Sequence, residues 1–130
     1  MNLTDPVTEV LVVDDDKLVC LVVSAGLRRK TALPVTPHSN GKSALDQVTA
    51  TPAKIFMVLL DLNMPVMNGW EFLEEITRRG LTNVRVVIIS SSVNLQDKSR
   101  AYSFPQVIDF LEKPVGEEQF SKLALLLEKV

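Results

Sequence analysis

Short apolar runs alternate with helically spaced apolar positions along the chain. Val10-Leu11-Val12-Val13 runs straight into Asp14-Asp15-Asp16. Leu18, Leu21, Val22 and Ala25 then recur at i, i+3, i+4 and i+7, a stripe on one helix face. Leu33-Pro34-Val35-Thr36 predicts a weak strand at a sheet edge, where proline is tolerated. Ala44, Leu45 and Val48 predict a short helix after Gly41. Ile55 to Leu60 is apolar without alternation, which predicts a central strand buried on both faces and ended by Asp61. Phe72, Leu73 and Ile76 mark a third helix, stopped by Arg78-Arg79-Gly80. Val84 to Ile89 is the next strand and ends in Ser90-Ser91-Ser92, and the polar segment from Asn94 to Arg100 predicts an exposed helix. Val107 to Leu111 is the last strand, followed by Glu112-Lys113-Pro114. Glu117-Glu118 opens a final helix with the stripe Phe120, Leu123, Ala124 and Leu127.

This alternation predicts an α/β fold, a parallel sheet with right-handed crossovers and helices on both faces, as one domain over residues 1–130. Parallel strands share one C-terminal rim, and ligands bind there where the strand order reverses. Asp14-Asp15, Asp61, Ser90 and Lys113 each follow a predicted strand directly, so they share that rim. Taken singly, an acid after a strand is as readily a loop residue or a helix cap, and Asp16 is read as the cap of the first helix. Their common position points to chemistry. With the first and third strands as neighbours, Asp14, Asp15 and Asp61 crowd together. At an effective dielectric of ~20, unit charges ~5 Å apart repel by about 3 kcal/mol. A proton or a hard divalent cation must compensate, and Mg²⁺ suits carboxylates, carbonyls and waters. Lys113 adds a positive charge and Ser90 a hydroxyl, the parts that stabilise a phosphoryl group in transfer, with Asp61 as the nucleophile.

Composition narrows the class. Of 130 residues, 46% are hydrophobic and only 5% aromatic, with 14 basic against 16 acidic residues and a net charge of −2. That balance argues against a nucleic-acid surface, which needs a basic patch. The single cysteine, Cys20, cannot form an internal disulfide, and no apolar run reaches the ~18 residues of a membrane span. Met1 to Glu9 carries no basic residue and is no signal peptide, so a cytoplasmic location is expected.

Val12-Val13-Asp14-Asp15-Asp16, Leu60-Asp61-Leu62-Asn63-Met64-Pro65 with Asn68-Gly69, and Lys113-Pro114 resemble the receiver domain of bacterial two-component response regulators, over nearly the whole chain. The resemblance implies a flavodoxin-like sheet of order 2-1-3-4-5 in a three-layer sandwich. It implies Asp61 as phospho-acceptor from a sensor histidine kinase or histidine phosphotransfer protein. Asp14, Asp15 and Asp61 would hold Mg²⁺, with the backbone carbonyl of Asn63. Ser90 and Lys113 would contact the phosphoryl oxygens, and Phe110 would be the switch aromatic, where tyrosine is frequent. A cis Lys113–Pro114 bond is also implied. Tyr102-Ser103-Phe104-Pro105-Gln106 replaces the family's usual small residues before the last strand.

The reading is therefore a phosphorylation switch that ends after its last helix and acts on an unidentified downstream protein, with no nucleic acid and no membrane. A Mg²⁺-dependent phosphatase would need an acid two residues after the nucleophile, where Asn63 stands. A flavin or nucleotide binder would need a phosphate-cradling loop where Asp14-Asp15-Asp16 repels phosphate. A degenerate docking module would not keep the full acidic set. His38 is expected in a surface loop away from the rim, Cys20 in the core, and Trp70 as a packing residue near Asp61. Leu125 and Leu126 give the last helix more apolar surface than one face needs.

Overall fold

Five strands and five helices alternate: β1 (Glu9–Val13), α1 (Lys17–Arg28), β2 (Val35–His38), α2 (Gly41–Ala50), β3 (Phe56–Asp61), α3 (Gly69–Arg78), β4 (Val84–Ser90), α4 (Leu95–Tyr102), β5 (Val107–Glu112) and α5 (Glu117–Glu128). They come from a computed structural model that describes residues 5–64, 66–91 and 94–128; Pro65 and Ser92 lie outside the described residues. The sheet is parallel, in the order β2-β1-β3-β4-β5. This is the flavodoxin-like order that the receiver resemblance implied.

The apolar runs become strands because both sheet faces are covered, so alternate side chains enter two separate cores. Leu11, Val13, Val58, Leu60, Val86 and Ile88 pack with Leu45, Phe72, Leu73 and Ile76 on one side. Val10, Val12, Met57, Leu59, Val87 and Ile89 pack with Val23, Leu27, Phe120 and Leu123 on the other. Side-chain caps set the helix starts: Asp16 accepts from the Leu18 and Val19 N–H groups, and Asn68 forms a reciprocal capping box with Glu71.

The first helix departs from its sequence pattern. Leu18 (67% exposed), Leu21 (64%) and Val22 (51%) face solvent, and Ala25 is exposed with them. The buried face carries Cys20, Val23, Ser24, Gly26 and Leu27. Apolar residues occupy more than one face of α1, and a glycine decides which one docks. A Cβ on Gly26 would lie 2.2 Å from Phe120 Cζ of α5, so only glycine admits that ring. In α5, Phe120 and Leu123 are buried while Ala124 and Leu127 are only partly covered, and Leu125 is exposed. The edge strand starts later than its apolar residues predict and runs through Pro37, with Val10 paired to Val35 and Val13 to His38. No helix among the described residues is long and apolar enough to cross a membrane.

Candidate functional site

β1 ends one residue before Asp14, β3 ends on Asp61, β4 ends on Ser90, and β5 ends one residue before Lys113. Parallel pairing brings all four to one rim. Because β1 and β3 are hydrogen-bonded neighbours, carboxylate oxygens of Asp14, Asp15 and Asp61 lie within 4.8 Å of one another. Asp14 and Asp61 are buried and Asp15 is exposed. Lys113 reaches in from β5, its Nζ 2.7 Å from Asp14 Oδ2 and 3.6 Å from Asp61 Oδ2. The Lys113 N–H also donates to the Ser90 carbonyl at 2.9 Å, which ties the ends of β4 and β5 together. The Lys113–Pro114 peptide bond is cis.

Local hydrogen bonds orient the carboxylates. Asp14 Oδ1 accepts from the Asp16 N–H at 2.9 Å, and Asp61 Oδ1 accepts from the Asn63 N–H at 3.3 Å. Gly69 lets the first turn of α3 close on this loop: a Cβ there would meet the Asp61 carbonyl oxygen at 2.7 Å and Leu62 Cα at 2.8 Å.

Charge is unbalanced in the pocket. Burial, reinforced by the Asp14 charge, raises the Asp61 carboxyl pKa, against the pull of Lys113. Burial works to lower the Lys113 pKa, but its bond to Asp14 and the charges of Asp61 and Asp14 outweigh that and raise it. Three carboxylates facing one ammonium are an oxygen donor set with excess negative charge, which fits a hard divalent cation. Asn63 is exposed beside Asp61, and Phe110 is buried, with Lys98 Nζ 5.8 Å from its ring centroid.

Two supports of Asp14 were not legible in sequence. The Cys20 thiol, buried as expected, donates to the Asp14 carbonyl at 3.2 Å, and burial together with the Asp14 charge raises its pKa. His38 is not a loop residue distant from the rim. It is the half-buried last residue of β2, and its carbonyl accepts from the Asp14 N–H at 3.1 Å. Its ring is held 2.9 Å from Ser43 Oγ and 2.7 Å from Gln47 Oε1. The edge strand sits beside β1, which puts its end against Asp14; Pro37 obscures how far that strand runs.

The profile of the family described as "Response regulator receiver domain" matches residues 10–124. The "Two-component response regulator ORR5" of rice (Oryza sativa subsp. japonica) is 32% identical over 114 residues, covering 88% of this chain and 84% of the rice protein. The crystal structure of a two-component response regulator from Cytophaga hutchinsonii superposes with a TM-score of 0.80 at 21% identity, covering 97% of this chain and all of that one. A putative two-component system response regulator/GGDEF domain protein superposes with a TM-score of 0.78 at 29% identity, covering 98% of this chain and 50% of that one.

Proposed function

Since the chain belongs to the response regulator receiver domains, the phosphoacceptor switches of two-component systems, we propose that Asp61 is the residue that takes the phosphoryl group. The donor is a phosphohistidine on a sensor histidine kinase or a histidine phosphotransfer protein. The observation that carries this reading is the meeting of Asp61, Asp14, Asp15 and Lys113 in one pocket.

An Asp61 carboxylate oxygen attacks phosphorus as the phosphorus–nitrogen bond breaks, leaving an acyl phosphate on Asp61 and a neutral imidazole on the donor. Asp14, Asp15, Asp61 and the Asn63 carbonyl would hold Mg²⁺, which neutralises charge on the phosphoryl oxygens when bound. Lys113 exchanges part of its pairing with Asp14 for a phosphoryl oxygen, and the Ser90 hydroxyl donates to another. Asn63 supplies no proton to a leaving group, which suits a switch rather than a turnover enzyme. Phe110, turned into the core, is the element whose position reports the site to a downstream protein. The same reading sets the protein to work in the cytoplasm, with a protein rather than nucleic acid or a membrane as its target. The net charge of −2 is in line with that.

The exposed face of α1 supports a protein donor. Leu18, Val19 and Val22 form one wall of a groove of ≈ 460 Å³, and Ser91, Lys113, Pro114 and Val115 form the other. The groove reaches the pocket through Lys113, so a donor covering these side chains stands beside Asp61. Phosphoramidate, a small donor that needs no docking, separates chemistry from recognition. With Mg²⁺ it phosphorylates wild type and Leu18→Asp equally, while transfer from a phosphorylated histidine phosphotransfer protein falls in Leu18→Asp. Failure of phosphoramidate to label wild type contradicts the reading.

A further inference from the structure

The two long sides of α1 line different grooves. One borders Lys113, as described above. The other, with the end of β2, walls a separate groove of ≈ 380 Å³, a size usual for small-ligand sites. Lys17, Cys20, Leu21, Ser24 and Arg28 form its helix wall, and Pro37 to Ser39 form its strand wall. Both ends are positive. Lys17 and Arg28 stand eleven residues apart (28 − 17), about 16 Å along the helix. Among the described residues neither is in an ion pair. The Asp14 carboxylate, near the Lys17 end, is already paired with Lys113 at 2.7 Å. Arg28 Nη2 donates to the Val35 carbonyl at 2.7 Å, which fixes the guanidinium and leaves its other N–H groups for a ligand. One turn back along α1, Ser24 is 2% exposed and its buried hydroxyl has no hydrogen-bond partner among the described residues. Such a group is rare in a folded protein.

The geometry narrows the ligand. A peptide strand adding to the β2 edge would need backbone partners there. The Pro34 and His38 carbonyls face β1, the Val35 carbonyl is taken by Arg28, and Pro37 has no N–H to give. An inorganic phosphate would want converging cations, whereas Lys17 and Arg28 stand three turns apart with Leu21 and Pro37 between them. A single anionic head on an apolar body meets all of these groups. We propose that the groove is a binding site for a small amphipathic carboxylate. Arg28 and Ser24 hold the carboxylate, and the apolar body lies along Leu21 and Pro37 toward Lys17. Arg28 supplies charge-assisted hydrogen bonds, and the Ser24 hydroxyl gains the acceptor it lacks. Lys17 keeps the far end positive, so the groove as a whole selects an anion. This site is separate from the chemistry of Asp61 and stands whether or not Asp61 is phosphorylated.

Sodium octanoate is the probe, with octanol as its uncharged counterpart, each titrated into the full chain in metal-free buffer and followed by ¹H–¹⁵N NMR. With octanoate the amide signals of Cys20, Ser24, Arg28 and Ser39 move together and saturate, and octanol binds at least about ten-fold more weakly. Arg28→Gln weakens octanoate by about three- to ten-fold, and Ser24→Ala by about two- to five-fold. The amide spectrum of each variant verifies that it is folded. The comparison of octanoate with octanol on wild type needs no variant at all. Octanol binding as tightly as octanoate overturns the proposal, since the groove would then be holding apolar surface alone. So does an octanoate response that fails to saturate, or one centred on Leu18 and Val22 on the other side of α1. Unchanged affinity in folded Arg28→Gln overturns it as well.

Discussion

Lys113 stands between two buried carboxylates, its Nζ 2.7 Å from Asp14 and 3.6 Å from Asp61, with Asp15 at the mouth. One ammonium does not balance three acids, and a divalent cation binding the folded pocket stabilises the fold by mass action. At ten times its dissociation constant Mg²⁺ adds about 1.4 kcal/mol, read as a rise in Tm that EDTA reverses. Asp15→Asn reduces this rise, because it removes a ligand without disturbing buried structure.

The raised pKa of Asp61 sets the sign of a pH effect. Its folded carboxyl holds a proton at pH values where the unfolded one has lost it. Stability of the metal-free protein therefore falls as pH climbs from the ordinary carboxylate range through the folded pKa, and it stays lowered above. Asp61→Asn abolishes this decline. It keeps an acceptor for the Asn63 N–H and stabilises the metal-free protein at neutral pH by on the order of 1 kcal/mol, since Lys113 offsets much of the repulsion. Chemical denaturation of both proteins across pH measures the difference.

The two faces of α1 separate in a stability scan. Leu18→Ser and Leu21→Ser change unfolding free energy by less than about 0.5 kcal/mol, because both side chains already meet water. Leu27→Ala, fully buried, costs about 2–5 kcal/mol. Equal losses on both faces would mean that α1 is rotated from the orientation described.

Asn83 secures the end of α2 from a distance. Its buried Nδ2 lies within hydrogen-bond distance of the carbonyls of Val48 (3.2 Å), Thr51 (3.4 Å) and Lys54 (3.1 Å). Asn83→Ala strands these acceptors and costs about 1–3 kcal/mol in denaturant melts.

Val66 stands in the left-handed region at φ 72, 78% exposed, in the loop after Asp61. A β-branched residue is strained there, whereas asparagine tolerates it. Val66→Asn is expected to raise stability by about 1 kcal/mol, measured by the same melts.

Much of this was legible in the sequence, because buried parallel strands leave unbroken apolar runs and each run is closed by its rim residue. Asp14, Asp61, Ser90 and Lys113 could therefore be placed on one edge from their position alone. The buried face of α1 was not legible: Leu18, Leu21 and Val22 are as apolar as Val23 and Leu27. The choice between them is made by Gly26 and Phe120, 94 residues apart in the chain (120 − 26). The end of β2 was hidden by Pro37, and with it the contact of His38 to Asp14. That Arg100 stacks on Trp70 leaves no periodic trace either, since it depends on how two helices settle on the sheet.

The assignment of Asp61 is tested most directly by mass spectrometry after incubation with Mg²⁺ and acetyl phosphate. One adduct of about 80 Da, mapped by fragmentation to Asp61 and missing from both Asp61→Asn and an EDTA-treated sample, is the predicted result. An adduct of the same mass that persists in Asp61→Asn would contradict it.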